Sequence, residues 1–175
     1  MLQPTDIHLC QPGPEMSCGA CCGLYNYRDS TREALTDRLE RRTALYREKV
    51  RNRDDLEPFA TLIRTIESQE KRYEVIYCCE YLGFLDETRR RVGCLLHPLQ
   101  NGGRDLRDVS FYGRDLCDGH FCPSYHFLNR AEQRAMVNAL DDWYLYGLAI
   151  TDIDLVKEYF RFIAEGLGEM PDPEW

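Results

Sequence analysis

The cysteines constrain this chain more than any other feature. There are nine in 175 residues, and they fall in two blocks. Cys10, Cys18, Cys21 and Cys22 lie near the start; Cys78, Cys79, Cys94, Cys117 and Cys122 lie in the middle. None occurs in 23–77 or in 123–175. Cysteines used as small core hydrophobes would not leave two such gaps. An odd count, in a chain long enough to build a core without staples, argues against a disulfide framework. The first basic residue is Arg28, so the opening segment lacks the charged start of a secretory signal. In a reducing cytosol, clustered thiols more often hold a metal or perform redox chemistry. The expected setting is therefore cytoplasmic.

Composition narrows the classes. Apolar residues make up 43% and charged residues 30%, which suits a folded domain. The longest apolar run, Trp143 to Ile150, is far too short to span a bilayer. A net charge of −8 disfavours nucleic acid and anionic membranes as partners. Ser/His/Asp sets, Gly-rich phosphate loops and H-E-x-x-H are not found.

Residues 1–27 are rich in Pro and Gly and read as an ordered loop. Residues 30–52 read as a helix, opened by a capping box at Ser30-Thr31-Arg32-Glu33. Its apolar stripe is Leu35, Leu39, Leu45 or Tyr46, and Val50. A second helix is expected over 54–73, with Pro58 in its first turn and a stripe of Leu56, Phe59, Leu62/Ile63 and Ile66. A short break at Asn52-Arg53 makes the two antiparallel neighbours. Glu40-Arg41-Arg42 and Glu70-Lys71-Arg72 read as solvated helix faces.

Val75–Tyr77 and Tyr81–Leu85 have strand composition, with a turn at Asp86-Glu87-Thr88 and a return over Arg89–Leu95. That hairpin places Cys79 and Cys94 near its open end. Arg89-Arg90-Arg91 at its tip reads as an exposed edge, the other reading being a phosphate contact. Residues 97–127 read as irregular. A third helix is expected over 129–147, boxed by Asn129 and Glu132, with Leu128, Ala131, Ala135, Leu140 and Trp143 in its stripe. A fourth runs over 152–166, opened by Thr151, with Leu155, Val156, Tyr159, Phe160 and Ile163 inward. Pro171-Asp172-Pro173 stops any helix. The fold class is thus mainly α with a small antiparallel β-hairpin. Residues 1–175 form a single domain, with 30–73 a helical-hairpin elaboration and 129–166 a C-terminal helix pair. The elaboration carries the chain out and back, so that the two thiol-rich loops can meet.

Cys18-Gly-Ala-Cys21 is a C-x-x-C knuckle, a spacing that lets two sulfurs face one ion. A thioredoxin-like reading needs a strand before it and a helix starting on it, and the Pro/Gly-rich lead-in does not fit. Cys22 enlarges the problem, because adjacent side chains diverge. If Cys21 and Cys22 are both ligands, two metals or one polynuclear cluster are implied. The candidate ligands are Cys10, Cys18, Cys21, Cys22, Cys79, Cys94, Cys117 and Cys122, enough for two four-thiolate sites. Cys78 is left out. His97 and His120 stand in C-x-x-H spacings and are weighed as replacement ligands against ordinary capping or surface imidazoles; His8 and His126 rank lower.

These residues resemble the YkgJ-like cysteine-cluster proteins: Cys10, the C-x-x-C-C block Cys18–Cys22, Cys79-Glu-Tyr-Leu82, Cys94-x-x-His97-Pro98, then Cys117 and Cys122. The resemblance spans roughly residues 10–122. It departs from the family in the longer gap after Cys10 and in His97, where an aromatic is usual. The family is described as zinc- or iron-chelating. A related cysteine block in flagellin lysine methylases is associated with an iron–sulfur centre. The resemblance implies a metal-binding protein holding zinc, iron or an iron–sulfur cluster. The alternatives are an iron–sulfur enzyme or electron carrier, and a disulfide-linked interaction module. The single knuckle and the loose spacing of the other thiols leave zinc and iron open.

Overall fold

The computed structural model describes residues 7–168. The Pro171–Pro173 helix stop lies outside them. The fold is mainly helical, with one two-stranded antiparallel hairpin. No helix among the described residues is long and apolar enough to cross a membrane.

The N-terminal loop orders itself through single 3-10 turns at Ala20–Cys22 and Leu24–Asn26, joined by Gly23 at φ 78°. Helix α1 follows over Arg32–Lys49. Thr31, not Ser30, caps it, accepting from the Ala34 amide. Ser30 is buried and accepts from Arg72 instead. Leu35 and Leu39 are buried as the stripe requires, but so is Arg42, 1% exposed. The solvated-face reading of Arg42 is therefore corrected. Its guanidinium donates to Glu67, to the Tyr27 hydroxyl and to the Cys79 carbonyl, so the charge enters the core fully partnered.

Helix α2, Leu56–Ile66, is shorter than expected. A 3-10 turn over Arg53–Asp55, boxed by Asn52 and Asp55, precedes it. Past Ile66 the chain straightens, because buried Glu67 turns in toward Arg38 and Arg42. Residues 70–72 then pair with the chain that enters α1. Arg28 donates its amide to the Glu70 carbonyl at 2.9 Å, and Arg72 donates to Asn26 at 2.8 Å. Entry and exit of the helical pair are thus pinned side by side. Glu70 and Arg72 are exposed as expected, although on extended chain.

Strands β1, Leu82–Phe84, and β2, Val92–Cys94, pair in register with Leu82 opposite Cys94. Val75–Tyr77 is not a strand; Val75 is 95% exposed. At the hairpin tip Arg89 pairs with Glu40 and Arg90 with Glu15, both pairs solvent-facing. Residues 97–127, expected to be irregular, hold 3-10 turns at Pro98–Gln100 and Arg107–Val109 and two short helices, α3 (Gly113–Gly119) and α4 (Pro123–Phe127).

The expected helix over 129–147 is two. Helix α5, Arg130–Ala139, carries the Asn129–Glu132 capping box. Helix α6, Trp143–Thr151, starts afresh at Asp142, whose carboxylate accepts from the Tyr144 and Leu145 amides. Asp152, not Thr151, caps α7, Ile153–Leu167. Of its expected inward residues Phe160 is buried, but Leu155 and Tyr159 are 64% and 62% exposed.

Three packed clusters result. One joins Leu24, Tyr25, Tyr27, Leu35 and Leu39 to the hairpin and Trp143. A second joins Leu9 and Met16 to α5, α6 and α7. The third packs α2 against Cys79, Tyr81 and Leu96. The N-terminal loop touches all three.

Candidate functional site: two groups of thiols

The 18–22 block stands where the three clusters meet, and its neighbouring cysteines face different ways. Cys18 packs with Cys122 in the Leu9–Met136 cluster. Cys22 packs with Cys79 and Cys94 in the α2 cluster. Cys21 is exposed and lies beside Cys10, close enough for its thiol to be the main influence lowering the Cys10 pKa. The nine thiols thus divide. Cys10, Cys18, Cys21 and Cys122 sit on one side. Cys22, Cys79, Cys94 and Cys117 sit on the other. The divergence expected of Cys21 and Cys22 is what separates the groups.

Cys78 belongs to neither. It packs in the cluster around Leu24 and Phe84, and the Asn26 amide donates to its sulfur at 3.7 Å.

The metal readings fail on geometry. Among the described residues, no set of three or more His, Cys, Asp or Glu side chains is arranged so that it could hold a metal ion. Zinc, iron and iron–sulfur cofactors, metal ions as partners, and the iron–sulfur enzyme alternative are corrected accordingly. Thiols at Cys18, Cys22, Cys79, Cys94 and Cys122 are used as packing groups within apolar clusters instead of turning together onto one point. Burial keeps several of them protonated: it pushes Cys18 and Cys79 up to about 12 and Cys94 up to about 11. The histidines are not ligands either. His97 caps the 98–100 turn through Nδ1, 3.2 Å from the Leu99 amide, and His120 ends α3 in solvent. The disulfide-linked module is corrected as well, since all nine cysteines are free thiols.

Cys10 stands apart chemically. It is half-buried at the mouth of the N-terminal loop. Its backbone accepts from the Cys18 amide at 3.0 Å, which closes the loop onto the knuckle. Tyr125, on α4, aims its hydroxyl at the Cys10 sulfur at 3.8 Å and receives the Cys10 amide at 3.3 Å. The same hydroxyl meets His8 Nδ1 at 3.0 Å. The Cys21 thiol, then Tyr125 and His8, favour the thiolate, and together they overcome burial to hold Cys10 down at about 6. Cys21, as the donor in that contact, is pushed far up. A thiolate beside a protonated thiol is the arrangement of a reactive dithiol.

The sequence does not announce this pair. Cys10 and Cys21 have no motif spacing, and Tyr125 lies on a helix in a stretch expected to be irregular. In the visible C-x-x-C, Cys18 with Cys21, the two thiols part: Cys18 turns inward and takes the Ala20 amide on its sulfur at 3.3 Å. Comparisons with protein-family models, with curated proteins and with solved structures return no match for this chain.

Proposed function

We propose that this protein is a thiol–disulfide exchange protein whose working couple is Cys10 and Cys21. One observation carries the reading: an accessible thiol, Cys21, is paired with a sulfur, Cys10, that a tyrosine hydroxyl and a second thiol stabilise as a thiolate. The Cys10 thiolate attacks one sulfur of a substrate disulfide. The S–S bond breaks, and the other substrate sulfur leaves as a thiolate. Cys21 gives up its proton to that thiolate and attacks the Cys10 sulfur. A Cys10–Cys21 disulfide forms, and the second substrate sulfur leaves and takes up a proton. Two protein thiols are oxidised and one substrate disulfide is reduced to two thiols. Since a low-pKa thiol is a good leaving group, the resulting disulfide is readily reopened, and the couple cycles.

The setting that suits this chemistry is a reducing compartment such as the cytoplasm, where the odd cysteine count leaves no orphan thiol to be paired. The C-x-x-C-C block and the arrival of Cys79 and Cys94 beside it support kinship with the YkgJ-like cysteine-cluster proteins; the chelation described for them is not carried over.

The test is trapping. With oxidised glutathione, wild-type protein should lose two thiols, and peptide mapping should find Cys10 joined to Cys21. Cys21→Ser should stop at a mixed disulfide on Cys10. If Cys10 and Cys21 both stay free to alkylate after oxidant treatment, or if Cys10 reacts no faster than the exposed Cys117, the reading is overturned.

A further inference from the structure

The second thiol group has no part in that couple, and its backbone geometry is specific. Gly23 sits at φ 78°, and a Cβ placed there would lie 2.1 Å from the Tyr77 carbonyl oxygen and 2.9 Å from the Cys78 Cα. Only glycine lets the two segments approach this closely. At this seam the Cys79 amide donates to the Cys22 carbonyl at 2.9 Å. With standard backbone dimensions, one such bond keeps the Cα atoms of its two residues within about 6.8 Å of each other. A disulfide accepts Cα separations of about 4.4–6.8 Å. Both side chains enter the same cluster, with Leu56, Phe59 and Leu96 around them. The adjacent Cys78 is turned into a different cluster and tied to Asn26.

We infer that Cys22 and Cys79 form a second, interior dithiol that closes to a disulfide after the outer couple. The entry point is Cys117, exposed on α3 with the Ser110 hydroxyl 3.7 Å from its sulfur, and near enough to Cys22 for its charge to oppose ionisation of that thiol. A small external disulfide exchanges at Cys117, giving a Cys117 mixed disulfide and one free thiol. Cys22 attacks the Cys117 sulfur and displaces the second small thiol. Cys79 then attacks Cys22, forms the Cys22–Cys79 bond and returns Cys117 as a thiol. Each step breaks one S–S bond and makes one, and the two protons of Cys22 and Cys79 end on the small thiols. Burial keeps the attacking thiols protonated, so this closure should run at least about tenfold slower than that of Cys10 and Cys21.

The inference does not depend on the outer couple, and the experiment separates them. The Cys10→Ser/Cys21→Ser protein retains seven of the nine cysteines. Treated with excess oxidised glutathione, alkylated and mapped, it should lose two further thiols and yield a Cys22–Cys79 linked peptide, with Cys78 alkylated. A protein with all seven thiols still alkylated, or with Cys79 linked to Cys94, overturns the inference. Neither result bears on Cys10 and Cys21. Should the double variant fail to fold by circular dichroism, the same mapping on wild type decides: a Cys22–Cys79 peptide at late times supports the inner couple, and its absence after about a hundred times the Cys10–Cys21 closure time sinks it.

Discussion

Arg42 and Glu67 form an ion pair with neither side chain open to solvent, Nη2 lying 2.7 Å from Oε2. Arg38 adds a second cation to the same carboxylate, and the Tyr27 hydroxyl and Cys79 carbonyl take up the remaining Arg42 donors. The pair ties α1 to the chain leaving α2, and through Cys79 to the thiol groups. Breaking a buried pair from one side strands the other charge, at a cost of about 3–5 kcal/mol. Glu67→Ala should therefore lower the urea midpoint sharply. The double variant Arg42→Met/Glu67→Leu should recover much of the loss. A double variant as unstable as the single one would show that the pair supplies stability itself instead of avoiding an unpaired charge.

Gly147 lies inside α6, where replacing glycine by alanine ordinarily stabilises by about 1 kcal/mol. Here a Cβ would fall 1.8 Å from the hydroxyl of Tyr25, which is buried and donates to the Trp143 carbonyl at 2.9 Å. The overlap falls on a ring that cannot swing into solvent. Gly147→Ala is expected to destabilise by about 1–3 kcal/mol, the range of overpacked cores. Chemical denaturation reads the sign directly.

The Cys10 thiolate should govern reactivity near neutral pH. Its alkylation by iodoacetamide should rise through about pH 6 and level off above it. Tyr125→Phe removes one of the donors and should move that rise to higher pH while leaving the plateau in place. Because the folded value lies below the ordinary 9.0, this group adds stability that is complete above pH 9 and is lost as pH falls through about 6.

The buried thiols act in the opposite sense. Cys18 and Cys79, at about 12, and Cys94, at about 11, lie above the ordinary 9.0 because burial opposes the charged form. Their stabilising effect is complete below pH 9. It declines as pH rises toward 11–12, where the unfolded chain ionises and the folded one does not. Urea midpoints measured from pH 8 to pH 11 should fall, and Cys79→Ala should flatten that slope. A slope unchanged in that variant would assign the alkaline loss to other groups.

Local signals carried the helices and failed where partners are distant. The Asn129–Glu132 box marks the start of α5 because both halves of the cap lie within one turn. The break before α6 was also written locally, in Asp142 ahead of an apolar run, but the apolar stripe continues across it and reads as one helix. Arg42 looks like any charge on a solvated face, since Glu67 lies beyond the next helix and leaves no trace in the spacing. The division of the thiols follows from adjacent side chains diverging at Cys21 and Cys22. Which sulfur each would meet depends on Tyr125 and on the seam at Gly23, and neither has a periodic signature.

The Gly23 seam also imposes a timetable on the nascent chain. The four early cysteines leave the ribosome well before the Cys78–Cys79 segment, since all of α1 and α2 must be synthesised in between. At roughly 5–20 residues per second, Cys22 waits several seconds for its neighbour. Throughout that delay Cys10, Cys18, Cys21 and Cys22 have only one another. An oxidising encounter during synthesis that captured Cys22 would lock it to a thiol from which the finished fold parts it, so the sorting of these thiols belongs to the order in which the chain is made as much as to its final packing.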